Sequence, residues 1–229
     1  MRFLALATDY DGTLAEDGEV SAPTVGALQR LRDSGRKAIL VTGRELPELL
    51  WIFPEVELFD VVVAENGALL YFPGERREEP LAEPPPVRFL RTLREHGVAP
   101  LSIGRAIIAT TENQSAAILD TIHSLGLDLQ VIFNKGSVMV LPSGVNKATG
   151  LEAALHHLGI PASQVVGVGD AENDHPLLRA CGLGVAVANA LPALKERADI
   201  VTRGRAMDGV MEVIEGMLTN DLAEVCPVR

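Results

Sequence analysis

The chain has few aromatic residues and no basic segment, and each shortage narrows what the protein can be. Aromatic residues make up 4% of the 229 residues, whereas hydrophobic residues as a whole make up 47%. The core is therefore aliphatic, which suits buried parallel strands covered by helices. The formal net charge is −11, and Lys and Arg do not cluster along the chain. We therefore expect no nucleic acid partner, because phosphate backbones bind basic surfaces.

Cysteine is also scarce, and long apolar runs are missing. The two cysteines, Cys181 and Cys226, do not have the spacing of metal ligands. We therefore expect reduced thiols in a cytoplasmic protein. The apolar run near the N-terminus is too short for a cleavable signal, and no segment approaches the length of a membrane span. The expected protein has no membrane partner and is either a monomer or a homodimer.

Strand-like runs alternate with helical patterns through much of the sequence. Ser21 is suited to cap a helix that ends at Gly35, and Gly159 ends a later helix. The predicted strands are residues 3–7, 38–41, 61–64, 165–168, 183–187 and 199–202, and further helices are predicted at 45–53 and 210–218. This alternation predicts an α/β fold with a doubly wound parallel sheet and right-handed crossovers.

The middle of the chain follows a different pattern. A proline-rich segment, residues 80–86, is typical of a stiff linker. Beyond it the sequence predicts helices at 87–95 and 116–125, a strand at 106–110, and a hairpin of strands 129–133 and 138–141. A hairpin pairs its strands antiparallel, unlike the rest of the chain. We therefore predict a core, residues 1–79 and 145–229, and an inserted small α+β domain, residues 80–144.

The most informative motif is Asp-x-Asp-Gly-Thr, which follows the first predicted strand. Asp9 and Asp11 are two residues apart, so on an extended backbone their side chains point the same way. Two close carboxylates repel each other, and a divalent cation offsets that repulsion best. One carboxylate is then able to act as nucleophile and the other as acid or base. The alternative is an ordinary turn, since Asp and Gly are common turn residues.

Further polar residues follow other predicted strands. Thr42-Gly43-Arg44 comes directly after the second strand, where a hydroxyl and the amides of the next helix suit a phosphate oxygen. An ordinary helix cap is the alternative for this segment. Lys147 precedes a helix, a position that disfavours a cation, and this suggests a point charge for phosphate. A solvated surface lysine is the alternative there.

Residues 167–174, Gly-Val-Gly-Asp-Ala-Glu-Asn-Asp, follow a later strand with two acids and an amide. Asp170 is placed to join a metal shell. Asn173 and Asp174 lie one helical turn further on and are placed to hold a ligand, a water or Lys147. A dinucleotide-binding loop does not fit, because the third glycine of its fingerprint is absent and acids would repel a pyrophosphate.

These motifs, in this order, resemble the haloacid-dehalogenase superfamily of phosphohydrolases. The four motifs are Asp9 to Thr13, Thr42 to Arg44, Lys147, and Gly169 to Asp174. The insert lies between the second and third motifs, and Glu-Asn-Gly-Ala at 65–68 follows the third strand. Both features resemble the Cof-type branch, also called type IIB, whose insert is an α/β cap domain. We call residues 80–144 the cap. Relatives in that branch include sugar-phosphate and phosphoglycolate phosphatases.

The resemblance implies a Mg²⁺-dependent hydrolase of small phosphorylated metabolites that works through an aspartyl-phosphate. It implies that Asp9 is the nucleophile, Asp11 the general acid and base, and that Thr42 and Lys147 bind the phosphoryl oxygens. The implied metal site consists of Asp9, the backbone carbonyl of Asp11, Asp170 and Asp174, with Asp174 and Asn173 orienting metal waters and Lys147. The implied phosphate-binding residues are Gly12, Thr13, Thr42, Gly43, Arg44, Asn66, Lys147 and Asn173.

Other functions use similar residues. A phosphotransferase or phosphomutase of the phosphomannomutase type shares the fold and the first two motifs. A receiver-type signalling module also combines acids, Mg²⁺, Thr and Lys, but its accepting Asp follows a middle strand and it needs only about half this length. A binding protein without activity is disfavoured because every motif residue is present. We expect the cap to choose the substrate. Its polar candidates are Arg105, Asn113, Asn134 and Lys135, and plain surface is the alternative for each of them.

Overall fold

The computed structural model describes residues 1–134 and 136–223, which form two β-sheets with helices packed against them. The strands are β1 Ala5–Thr8, β2 Lys37–Val41, β3 Val61–Ala64, β4 Leu69–Phe72, β5 Arg77–Pro80, β6 Ser102–Ile103, β7 Ile108–Thr111, β8 Leu129–Asn134, β9 Ser137–Pro142, β10 Val165–Gly169, β11 Leu183–Ala186 and β12 Ile200–Val201. The α-helices are α1 Ala22–Asp33, α2 Leu46–Ile52, α3 Val87–Glu95, α4 Ser115–Ser124, α5 Lys147–Leu158, α6 His175–Ala180, α7 Pro192–Lys195 and α8 Ala206–Asn220.

The large sheet has the strand order β12-β11-β10-β1-β2-β3-β4-β5. The six strands from β12 to β3 pair in parallel, and β1, β3 and β10 are buried along their whole length. Such strands read as continuous apolar runs because helices cover both of their faces. The predicted doubly wound α/β fold is confirmed, and the predicted strands match the observed ones to within a few residues.

One edge of this sheet differs from the prediction. β4 and β5 pair antiparallel with their neighbours, so antiparallel pairing is not restricted to the inserted domain. Pro80, assigned to the linker, is the last residue of β5. The sequence of β5 is Arg-Glu-Glu-Pro and the strand is mostly exposed, so it lacks the apolar alternation by which strands are recognised. Charges and a proline are typical of an edge strand that pairs on one side only.

Local signals place the helices that flank the sheet. The side chain of Ser21 accepts a hydrogen bond from the backbone N–H of Thr24, which caps α1 as predicted. Gly159 follows α5 in the left-handed conformation, with φ of +66°. Asn146 caps the other end of α5 through the amides of Ala148 and Thr149. This N-terminal helix cap fixes the first residue of α5, and that residue is Lys147.

The small sheet is antiparallel and has the order β6-β7-β9-β8. It lies within the cap, and β8 and β9 form the predicted hairpin, with Asn134 opposite Ser137. α3 and α4 pack on it through a separate apolar cluster that includes Phe89, Ile118 and Val140. β6 was missed because two residues carry no periodic pattern. The limits of the core, 1–79 and 145–229, and of the cap, 80–144, stay a prediction.

Four parallel strands of the large sheet end beside one another. β1 is followed by Asp9, β2 by Thr42, β3 by Glu65 and β10 by Asp170. The carboxyl ends of parallel strands lie at the same edge of a sheet, and this is where ligands bind in open α/β folds. The fold thus brings three of the four predicted motifs to one place, together with Glu65. The remaining motif, Lys147, is the first residue of α5.

Candidate active site

Lys147 lies at the centre of a group of buried carboxylates. Its Nζ donates to Oδ1 of Asp9 and to Oδ1 of Asp174, each at a distance of 2.5 Å. All three side chains are buried. The N-terminus of a helix disfavours a cation, and the two carboxylates offset that cost at the first residue of α5. Lys147 is therefore not a solvated surface lysine.

Burial and charge shift the pKa values of this group. Burial, together with the Asp174 carboxylate, raises the pKa of Asp9 to about 7, although Lys147 acts to lower it. Burial acts against the charge of Lys147, but Asp174 and Asp9 outweigh it and hold the pKa of Lys147 above its ordinary value. Asp170 also raises the pKa of Asp9. One ammonium group faces three carboxylates, an excess of negative charge that a divalent cation would offset.

The carboxylates of Asp9, Asp170 and Asp174 form a group that is suited to a metal ion. One oxygen of each lies within 4.8 Å of the others, and all three residues are buried. The other oxygen of Asp174 accepts hydrogen bonds from the backbone N–H groups of Asp170 and Ala171, both at 2.9 Å. A set of carboxylate oxygens without sulfur or imidazole fits a hard cation such as Mg²⁺ better than Zn²⁺.

Asp11 faces a different direction from this triad. Both of its carboxylate oxygens accept hydrogen bonds from the guanidinium of Arg44, at 2.6 Å to Nη2 and 2.7 Å to Nε. The hydrogen bond to Asp11 raises the pKa of Arg44, against the effect of burial. Arg44 also pairs with Glu48 and lies over the ring of Tyr10. The Asp11 carboxylate is thus held at the mouth of the site, and the metal-ligand role implied for Asp11 involves only its backbone carbonyl.

Two asparagines predicted to bind phosphate lie side by side. Nδ2 of Asn173 donates to Oδ1 of Asn66 at 3.2 Å. The remaining amide atoms, Nδ2 of Asn66 and Oδ1 of Asn173, are buried and make no hydrogen bond to any residue that the structure describes. Buried polar atoms of this kind are rare without a ligand or water. The pair therefore offers one donor and one acceptor to a ligand beside Thr42, whose carbonyl accepts the backbone N–H of Asn66.

The other predicted phosphate-binding residues support the site from behind or shape its wall. The Gly12 carbonyl accepts a hydrogen bond from Nδ2 of Asn189 at 2.7 Å, and the Thr13 hydroxyl donates to Asp170 at 3.3 Å. Thr42 is buried, and its hydroxyl accepts the backbone N–H of Arg44 at 3.0 Å. Gly12 and Thr13 thus orient neighbouring groups, and Asn189 is a supporting residue to which the sequence had assigned no role in the site.

A cleft of about 360 Å³ opens between the core and the cap above these residues. Asp11, Gly43, Arg44 and Glu48 are among the residues of its core wall. The cap wall consists of Ser102, Ile107, Ala109, Ser137 and Met139. A Cβ atom at Gly43 would lie only 3.0 Å from Cε of Met139. The two walls therefore meet closely at this glycine.

Of the polar cap residues proposed as specificity candidates, the two whose side chains the structure describes, Arg105 and Asn113, are not among the residues that line this cleft. Arg105 forms an ion pair with Glu78 at 2.8 Å, and Asn113 accepts a hydrogen bond from the Thr111 hydroxyl at 2.5 Å. Both side chains are engaged elsewhere on the surface, and a role for either in specificity stays a prediction. The side chain of Asn134 and the whole of Lys135 lie outside what the structure describes, as does Cys226.

The cap wall could have been found from strand alternation. Met139 pairs with Ala109 across β7 and β9, while the flanking Val138 and Val140 face the helices of the cap. Alternate residues of a strand face opposite sides, so the residues around Met139 belong to the side that faces the core. A larger groove of about 680 Å³ lies between α5 and α6, but none of the three triad acids lines it.

Comparison with known proteins agrees with this geometry. A family model described as haloacid dehalogenase-like hydrolase matches residues 6–98 and 94–214. The chain belongs to the haloacid dehalogenase-like hydrolase family. This confirms the resemblance drawn from the four motifs. It argues against the receiver alternative and leaves the phosphotransferase alternative open, because that activity uses the same fold.

Several relatives match the hydrolase over nearly its whole length. Phosphoglycolate phosphatase 2 of Saccharolobus solfataricus is 30% identical, over 96% of this chain and 95% of the relative. Phosphoglycolate phosphatase of Methanothermobacter thermautotrophicus is 32% identical, over 92% and 96%. The matches include the cap, so the similarity is not restricted to the core motifs.

Solved structures share the fold of this hydrolase. A haloacid dehalogenase-like hydrolase from Bacteroides thetaiotaomicron superposes with a TM-score of 0.81 at 20% identity, over 94% of this chain and 99% of that one. A sugar phosphatase of subclass IIB superposes with a TM-score of 0.75 at 21% identity, over 93% and 98%. In residues 1–134 and 136–223, no helix has the length and apolar character needed to cross a bilayer.

Proposed function

We propose that the protein is a Mg²⁺-dependent phosphomonoester hydrolase that transfers the phosphoryl group of a small metabolite to Asp9 and then to water. The observation that carries this proposal is the contact of Lys147 with both Asp9 and Asp174 inside the buried carboxylate triad. A cation held against a buried carboxylate at a strand end lets that carboxylate meet an anionic phosphate. Family membership among hydrolases supports the same chemistry.

The reaction has two steps. An oxygen of Asp9 attacks phosphorus, the bond from phosphorus to the substrate oxygen breaks, and Asp11 gives a proton to the leaving oxygen. Asp11 then takes a proton from water, which attacks the aspartyl-phosphate, releases inorganic phosphate and restores Asp9. Arg44 holds Asp11 at the cleft, where both the leaving group and the attacking water pass.

The remaining residues bind and orient. Lys147 and the hydroxyl of Thr42 are placed to contact the phosphoryl oxygens, and Asp174 holds Lys147 toward Asp9. Asp9, Asp170 and the backbone carbonyl of Asp11 would hold the Mg²⁺. When bound, the ion would neutralise charge on the phosphoryl group and on the carboxylates. Asp174 has one oxygen on Lys147 and the other on two backbone amides, so in this proposal it orients Lys147 more than it ligates the metal.

The favoured substrate is a small phosphorylated acid of the phosphoglycolate type. Two of the relatives named phosphoglycolate phosphatase are 30% and 32% identical to this chain, each over more than nine-tenths of both chains. The cleft volume of about 360 Å³ suits a small leaving group, and three of the five cap residues that line it have small side chains. Among the described residues that line the cleft, Arg44 is the cation, and it is the group that a substrate carboxylate would meet. A sugar phosphate is the second candidate within the same reaction.

Release of inorganic phosphate tests the proposal. The purified protein with Mg²⁺ is incubated with a panel of phosphorylated metabolites that includes 2-phosphoglycolate and several sugar phosphates. We expect phosphate release from 2-phosphoglycolate, none from the Asp9→Asn variant, and normal release from Asp120→Asn, which changes an exposed acid in the cap. Transfer of the phosphoryl group to an added sugar, without release, would instead favour the phosphotransferase alternative.

A further inference from the structure

Glu65 is a buried carboxylate that the proposed reaction does not use. It follows β3 in the core and has no solvent exposure. Its oxygens accept hydrogen bonds from three backbone N–H groups of the cap, those of Arg105 and Ala106 at 2.8 Å and that of Ile107 at 3.2 Å. Hydrogen bonds to a charged acceptor are stronger than neutral ones. These hydrogen bonds compensate the free-energy cost of burying the Glu65 carboxylate. All three donors come from the cap.

The segment that carries Glu65 is held firmly on the core side. The backbone N–H of Glu65 donates to the carbonyl of Arg44 at 3.0 Å, and that of Asn66 donates to the carbonyl of Thr42 at 2.9 Å. Glu65 and Asn66 both have positive φ, 52° and 57°, a conformation that non-glycine residues adopt only when their surroundings impose it. Glu65 is therefore fixed to the same segment that presents the phosphate-binding residues.

The three amides belong to a tight turn between β6 and β7. The N–H of Gly104 donates to the carbonyl of Ile107 at 2.9 Å, which closes the turn. A Cβ atom at Gly104 would lie 2.7 Å from the carboxylate of Glu65, so the turn approaches as closely as a residue without a side chain permits. Ile107, at the end of this turn, lines the cleft, and so does Ala109 two residues later.

An apolar cluster surrounds this contact. Ala68 of the core packs there with Ala106, Ile107, Met139 and Leu141 of the cap. Ile107 and Met139 belong both to this cluster and to the cap wall of the cleft. The position of the turn on Glu65 is thus transmitted directly to the residues that face a leaving group. An apolar cluster alone would let the cap slide, since such contacts are not directional. Three hydrogen bonds to one carboxylate are directional.

We propose that Glu65 is a positioning residue that holds the β6–β7 turn, and with it the cap wall of the cleft, in register with the phosphate-binding residues, and that it thereby sets which leaving groups the enzyme accepts. The specificity part of this inference rests on the proposed phosphatase function, while the positioning part does not. Within the part of the chain that the structure describes, the hydrogen bonds of the Glu65 carboxylate go to cap backbone amides and not to the triad or the phosphate-binding side chains.

The test compares Glu65→Gln with Glu78→Gln. Glutamine keeps the shape of Glu65 but turns one acceptor into a donor that faces a backbone N–H. Glu78→Gln is the matched control, since it changes an exposed partner of the same turn, the Arg105 guanidinium. For Glu65→Gln we expect kcat/KM for 2-phosphoglycolate to fall about tenfold or more, and kcat/KM for p-nitrophenyl phosphate to change less than about threefold. For the control we expect little change in either.

Hydrogen exchange supplies a readout that does not depend on activity. In Glu65→Gln the amides of residues 105–107 should exchange faster than in the wild type, while those of the central strands β1 and β10 should not change. If the wild type hydrolyses neither ester, the proposed function fails, and exchange alone decides the positioning role. Unchanged exchange at 105–107, or an unchanged ratio of the two kcat/KM values in an active enzyme, would overturn the proposal.

A second variant covers the case in which Glu65→Gln does not fold. Gly104→Ala leaves the core untouched and places a methyl group against the carboxylate of Glu65. The turn has to move away, so we expect the same loss of preference for 2-phosphoglycolate and the same faster exchange at 105–107. Wild-type values for both measurements in a folded Gly104→Ala variant would contradict the role of this contact.

Discussion

The two walls of the cleft offer a substrate different things. The core wall presents charges and hydrogen-bonding groups, among them Asp11 and Arg44, above the buried triad with Lys147. The described cap residues that line the cleft are two serines and three apolar side chains. Binding of the phosphoryl group and of the metal ion requires charged groups, and this requirement is the same for every phosphomonoester. A leaving group is distinguished by shape and by a few polar contacts. In the proposed function, the core wall performs the chemistry and meets a substrate carboxylate through Arg44, while the cap wall selects the leaving group by its shape.

The largest expected effect comes from the core. Asp9→Asn keeps the shape of the side chain and removes the attacking charge, so turnover should fall by several orders of magnitude for every substrate alike. Initial rates on 2-phosphoglycolate and p-nitrophenyl phosphate measure this, with Asp120→Asn as the control. If the Asp9→Asn variant hydrolysed one ester slowly and the other at the normal rate, the proposed division of roles between the core wall and the cap wall would be contradicted.

Removal of the metal is expected to act on all substrates as well. The triad of Asp9, Asp170 and Asp174 concentrates negative charge, which without a divalent cation would oppose an anionic substrate. Treatment with EDTA should reduce phosphate release to background, and Mg²⁺ should restore it better than Zn²⁺. Full activity after exhaustive chelation would contradict the metal site.

Substitutions in the cap wall should change the order of preference among substrates without abolishing activity. Met139→Ala enlarges the cleft beside Gly43, so the preference for a bulky ester over 2-phosphoglycolate should rise by about tenfold. Met211→Ala, a similar truncation in α8 away from the cleft, is the control for general destabilisation. The measurement is the ratio of kcat/KM values over the metabolite panel. An unchanged order of preference in Met139→Ala would mean that the cap wall does not select.

The smallest effect is expected from a substitution at Gly43, where the core wall and the cap wall of the cleft meet. Gly43→Ala places a methyl group 3.0 Å from Cε of Met139. Because the flexible methionine is able to move, we expect kcat/KM to fall only roughly fivefold. The loss should shrink when Met139→Ala is also present, since the contact is then gone. Equal losses in both backgrounds would show that the methyl group disturbs the phosphate-binding segment and not the cap.

Sequence patterns predicted the core far better than the cap wall, for physical reasons. A buried parallel strand is a continuous apolar run that ends in polar residues, so β1, β2, β3 and β10 and the residues after them are visible in the sequence. β5 was not visible because its residues are charged and its edge is exposed. The sequence showed Glu65 only as part of the Glu-Asn-Gly-Ala segment at 65–68 and gave no sign of its contacts. Its partners are backbone amides of a distant turn, and backbone groups carry no residue type that a pattern could reveal.

The orientation of the two motif carboxylates also could not be predicted from the sequence. Spacing placed Asp9 and Asp11 on one side of an extended backbone, but the structure directs Asp9 to Lys147 and Asp11 to Arg44. The chain turns directly after Asp9, and Gly12 has φ of +81°. A period of two residues holds only while the strand continues. This separation is what the proposed mechanism needs, because the nucleophile and the acid have to reach opposite sides of the phosphorus.

The central claim is that Asp9 accepts the phosphoryl group, and direct detection of that intermediate tests it most closely. The Asp11→Asn variant keeps the acceptor but removes both the acid of the first step and the base of the second. The substrate is therefore p-nitrophenyl phosphate, whose leaving group departs without a proton, so the aspartyl-phosphate should still form and then accumulate. The reaction with Mg²⁺ is stopped with acid, and the peptides are mapped by mass spectrometry. We expect a phosphoryl group on Asp9, and none when the Asp9→Asn change is also present. A phosphoryl group on another residue, or none on an enzyme that is turning over substrate, would contradict it.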